Sequence, residues 1–108
     1  MFVPPMTAQG SPYARFKRAL AAGDLFLIRA AAAELPQIGL ADALAICLLL
    51  CGSEPETYER AAVRWLGRYC LERPAATLEE VRRALAAFER LPRDPAAATR
   101  ELEALARG

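Results

Sequence analysis

The chain has 108 residues, 55% of them hydrophobic and 25% charged, with 14 Lys and Arg against 13 Asp and Glu and no His. A chain of this length forms one domain that buries roughly two-thirds of its unfolded surface, and its composition is that of a globular protein rather than a disordered one. The formal charge of +1 supplies no field to draw the molecule to nucleic acid or an anionic membrane, and without His the usual imidazole bases of nucleophilic catalysis are excluded.

From the N-terminus, residues 1–11 hold two prolines and no apolar period, and are expected to form an extended arm that carries Phe2, Val3 and Met6. This start lacks the basic end, apolar run and cleavage site of a secretion signal, so a cytoplasmic location is expected. Three cysteines, an odd number, fit a reducing compartment better than a disulfide framework. Residues 12–108 are expected to be a single helical domain. Ser11 can cap a helix over 12–22, with Pro12 at its first position and Gly23 just past its end. Asp24 caps a second helix that runs to Leu35 and stops at Pro36. Gly39 and Gly52 bracket a third, and Ser53-Glu54-Pro55 open a fourth that ends near Arg73, because Pro74 disfavours helical geometry in the residue before it. Thr77 to Glu80, TLEE, is a capping box for a fifth helix with Leu78, Val81, Leu85, Phe88 and Leu91 on one face. Asp94 and Pro95 start a sixth, with a narrower stripe of Ala98, Leu102 and Leu105. No segment alternates with period two. The expected fold is all-α, a compact bundle of about six short helices arranged as three helical hairpins.

The number and length of these helices resemble those of helical-hairpin repeat proteins of the tetratricopeptide type. The residue pattern of that repeat does not recur and there is no fixed internal period, so a bundle is expected rather than a solenoid. The segment YERAAVRWLGRYCLERP, Tyr58 to Pro74, together with LADALAICLLL upstream, resembles small all-α proteins of high-GC actinobacteria to which no activity is assigned. That resemblance implies a helical fold and no activity.

The most apolar stretch is LADALAICLLLCG, Leu40 to Gly52. It is too short for a membrane helix, which needs about 20 apolar residues, and a helix apolar on every side is one surrounded by other helices. Cys47, Cys51 and Cys70 could approach one another, but structural zinc sites usually have four Cys or His ligands, and cysteines on an apolar helix are more often small hydrophobes. No metal or cofactor is expected. Neither a phosphate-binding loop nor a dinucleotide fingerprint is present, and Glu79/Arg83 and Glu103/Arg107 have the spacing of ordinary surface ion pairs. No enzyme activity and no small-molecule substrate are expected.

On the fourth helix Arg60, Arg64 and Arg68 stand in line between Glu56 and Glu72, opposite an arc of Tyr58, Ala62, Trp65, Leu66 and Tyr69. On the first, Tyr13, Phe16 and Leu20 lie away from Arg15, Lys17 and Arg18, as core anchors rather than stacking platforms for bases. No helix has the exposed basic character of a DNA recognition helix. By elimination the function expected is that of a non-catalytic helical protein-interaction module, binding a protein partner or itself as a homodimer. Phe2 in the arm and Leu105 on the sixth helix are its candidate apolar contacts. The alternative is nucleic-acid or anionic-partner binding through Arg60, Arg64 and Arg68.

Overall fold

The computed structural model describes residues 11–108, so the expectations for the N-terminal arm, Phe2 among them, lie outside the described residues. The chain is all-α: six helices and no strand occur among the described residues. They are α1 (Pro12–Ala22), α2 (Leu25–Ala32), α3 (Leu40–Ser53), α4 (Pro55–Glu72), α5 (Leu78–Arg90) and α6 (Pro95–Arg107). The consecutive pairs α1/α2, α3/α4 and α5/α6 pack as three helical hairpins. Contacts divide the chain into two units, one ending at Ile38 and the other spanning Gly39–Gly108.

In the first unit the local signals work as residue chemistry dictates. The Ser11 hydroxyl accepts from the Ala14 amide at 3.3 Å, and Gly23 takes the left-handed conformation, φ 69°, that ends α1 and that a Cβ would disfavour. The Asp24 carboxylate accepts from the Leu27 amide at 3.1 Å and opens α2. That helix ends at Ala32, three residues before the expected Leu35. The amides of Glu34 and Leu35 donate to the carbonyls of Ala31 and Ala32, so the chain tightens into i→i+3 turns ahead of Pro36, which cannot follow a helical residue comfortably. Phe16 and Ile28 are buried, whereas Tyr13, expected in the core, is half exposed. Arg15 and Glu34 form an ion pair that ties α1 to the end of the hairpin.

In the second unit α3 packs on α4 and α6, and α5 on α4 and α6, so four helices close a ring around one core. Helix α3 does not stop at Gly52 but continues through Ser53, whose hydroxyl donates to the Leu49 carbonyl at 3.2 Å. What stops it is Pro55, which holds Glu54 in a non-helical conformation, φ −139° and ψ 82°. Only one side of α3 is fully buried: Leu40, Leu44, Cys47 and Leu50. Leu48 is half-buried, in a seam with Glu103, Ala106 and Arg107 of α6, so the expectation of burial all round is corrected.

The centre of the unit is aromatic. Trp65 is 2% exposed, stacks on Tyr69 with centroids 5.4 Å apart, and meets the edge of Phe88 at 5.6 Å. Its indole N–H donates to the Leu40 carbonyl at 2.8 Å, which fastens α4 to the start of α3. The capping box at Thr77 forms as read, with bonds of 2.9 and 3.1 Å. The inward side of α5, however, is Ala84, Ala87, Phe88 and Leu91, while Leu78 and Leu85 are exposed. Asp94 precedes Pro95 as expected, but its carboxylate makes no cap bond.

Candidate functional site

Between α4 and α5 lies an open groove of about 360 Å³. Its floor and walls come from Tyr58, Ala62, Val63 and Leu66 of α4 and Leu85 and Phe88 of α5, with Pro55 and Pro92 at one end. Local sequence explains its existence. Tyr58 and Phe88, with ring centroids 6.3 Å apart, stand in the seam and hold the two helices apart, and Ala62 is too short to fill the gap they leave. The polar tip of Tyr58 is accounted for. The carbonyl of Phe88 would bond the amide four residues on, but that residue is Pro92, which has no N–H. The Tyr58 hydroxyl donates to it instead, at 2.6 Å.

The outer lip of the groove is apolar and uncovered. Val63 is 63% exposed and Leu85 47%, one on each wall. The sequence reading put Leu85 with the core face of α5 because it counted large side chains. The spacing of Ala84, Ala87, Phe88 and Leu91 at i, i+3, i+4 and i+7 was the signal that located the true inner face. Two acids line the groove as well, Glu59 on α4 and Glu89 on α5, and sequence reasoning singled out neither. Among the described residues neither forms an ion pair.

The residues named from sequence fall in different places. Leu105 is 6% exposed and belongs to the core of the second unit, so it presents no surface to a partner. Arg60 and Arg64 are exposed, form no ion pair among the described residues, and line a shallow depression with Glu56, Glu59 and Val63 on the shoulder of α4 next to the groove. Arg68 is half-buried and bonded to Glu72 at 2.8 Å. The surface pairs differ from those the spacing suggested: Glu79 binds Arg82, and Arg83 reaches across to Glu101 of α6 at 3.2 Å. Arg73, read only as a helix end, has a further use. Its guanidinium lies 5.5 Å from the Tyr69 ring and donates to the carbonyls of Leu105 and Ala106, two of the unpaired acceptors in the last turn of α6.

The cysteines occupy three environments: Cys47 buried, Cys51 half-buried, Cys70 exposed. Burial pushes the Cys47 thiol up to about 11. Burial also raises Cys51, against the smaller opposing effect of its hydrogen bond with Tyr58. Desolvation, with the two neighbouring thiols, raises Tyr58 too. Both thiols of α3 are therefore protonated at neutral pH and poor nucleophiles. Among the described residues no three Cys, Asp or Glu side chains converge as metal ligands, and no helix is long and apolar enough to cross a membrane. Compared with known proteins, the chain matches no family model, no curated protein and no solved structure, so the groove is read from its own residues.

Proposed function

We propose that the chain is a non-catalytic, cytoplasmic protein-interaction module that receives a partner's apolar side chains in the α4–α5 groove. One observation carries the reading: Val63 and Leu85 stand exposed on facing walls of a concave groove beside the buried rings of Tyr58 and Phe88, a ready apolar seat, whereas the exposed Phe26, Leu71 and Leu78 line no such groove among the described residues. The absence of His and the protonated state of the two α3 thiols support the non-catalytic part. Free cysteines support the reducing compartment. The partner is a different polypeptide or a second copy of this chain, and light scattering across protein concentration separates the two.

The test compares wild type with Val63→Gln and Leu85→Gln in the native host. Both variants should keep their helical melt and lose the same co-purifying polypeptide, or lose the concentration-dependent rise in mass. Identical partners and identical mass in all three proteins would overturn the proposal. A second reading, anion or nucleic-acid binding, draws on the unpaired Arg60 and Arg64. It requires retention on RNA or DNA that falls steeply with salt and disappears when Arg60, Arg64 and Arg68 are together replaced by Gln.

A further inference from the structure

We infer that the occupant of the α4–α5 groove is a cationic amphipathic helix. The inference rests on the reading of the groove as a docking site and adds the chemistry of what docks there. Its length comes first. On α4 the lining runs from Pro55 to Leu66, three helical turns, or roughly 16 Å at 1.5 Å per residue. An occupant that buries side chains along that whole length without leaving its backbone amides unpaired is itself a helix of about three turns, with apolar residues spaced i, i+3 or i+4, i+7.

Charge comes second. Glu59 and Glu89 stand on opposite walls, and neither has an ion-pair partner among the described residues. The contact of Tyr58 with Phe88, one residue before each of them, puts the two acids at the same level of the groove, towards its Pro55 and Pro92 end. An apolar occupant without a cation would partly desolvate two carboxylates and give nothing back, whereas one Lys or Arg beside them is attracted by both. Arg60 and Arg64 line the depression on the other side of Val63 and not the groove. Glu56 and Glu59 line that same depression and balance them, so the shoulder holds no excess charge of either sign, and the place of the cation is set by Glu59 and Glu89. The helix is thereby directed, with its basic end at the prolines and its apolar ridge on Val63, Leu66 and Leu85.

The experiment titrates the full chain with two fluorescently labelled helical peptides of three to four turns. They share a Leu/Ala ridge and differ only in carrying Lys or Glu on the flanks. Anisotropy reports affinity and the methyl resonances of Val63 and Leu85 report the place. The Lys peptide should bind and shift those methyls, and the Glu peptide should bind far more weakly. Replacing Glu59 and Glu89 together by Gln should weaken the Lys peptide by about three- to ten-fold at low salt, as expected for two partly exposed charge contacts. The difference should vanish at high salt. Binding of the Glu peptide as tight as that of the Lys peptide, or Lys-peptide binding unchanged by the double Gln variant but lost in Val63→Gln, would overturn the cationic occupant while leaving the groove as a docking site. If neither peptide moves the Val63 and Leu85 methyls, the docking reading falls and the inference with it.

Discussion

Helix α5 takes part in two seams that differ in every respect that matters for function. In the seam with α6 two helices that bury small residues meet, α5 with Ala84 and Ala87 and α6 with Ala98. The rim of that seam is closed by Glu101, which binds both Arg83 and Arg90 across it at 3.2 Å. Towards α4 the buried residues are rings. They prop the helices apart, and the rim carries Val63 and Leu85 with two unpaired acids. One helix thus makes a sealed joint with small residues and crossed charges, and an open one with large residues and charges of one sign. The difference lies in side-chain size and in where the charges sit, not in hydrophobicity.

The prop is the place to break the comparison most severely. Trp65→Ala removes the ring that touches both Tyr69 and Phe88 and the bond that holds Leu40, and should cost about 3 to 5 kcal/mol in a urea melt. A loss below about 1 kcal/mol would mean that the rings do not set the α4–α5 spacing. The opposite error is available in the sealed seam. Ala84 has no exposed surface, and Ala84→Leu should cost about 1 to 3 kcal/mol by overpacking. If that seam accepts Leu without penalty, it is not the sealed joint described.

How far these seams were legible from sequence follows from the same residues. The caps at Ser11, Asp24 and Thr77, the prolines and the central place of Trp65 were readable, because each acts within one or two turns of its own chain or by its size alone. The inner face of α5 was misread because alanines hold it, and an alanine reads as neutral in a search for large apolar residues. Leu105 read as surface because its stripe is thin, yet the fold brings Tyr69 and Arg73, distant in sequence, beside it, and it is buried. The groove was not readable at all. It needs Tyr58, Leu85 and Glu89, which come together only through the tertiary pairing of α4 with α5.

Tyr58 offers a milder test of the open seam. Tyr58→Phe keeps the ring between the helices but leaves the Phe88 carbonyl with neither Tyr58 nor the amide-less Pro92 to bond it, and should cost about 1 to 2 kcal/mol. The Leu85 methyl resonances should move little. Large shifts there would show that the hydrogen bond, rather than the bulk of the ring, sets the groove's width.

The smallest expected effect concerns the rim of the sealed seam, and it carries a pH signature. Hydrogen bonds from Arg83 and then Arg90 hold the Glu101 carboxyl below its usual range, against a lesser opposing effect of burial. A carboxylate whose folded value is depressed stabilises the fold above the unfolded value, here about 4.5, and that stabilisation is lost as pH falls through the folded value. Urea melts of wild type should therefore lose stability below about pH 4.5 more steeply than those of Glu101→Gln, and at neutral pH the variant should be weaker by about 0.5 to 1 kcal/mol, the range for partly exposed ion pairs. Glu59→Gln and Glu89→Gln supply the contrast, since neither acid has a cation to lose, and their neutral-pH stability should stay within about 0.5 kcal/mol of wild type. Equal acid sensitivity in wild type and Glu101→Gln would dissolve the distinction between a rim locked by its acid and a rim whose acids await a partner's charge.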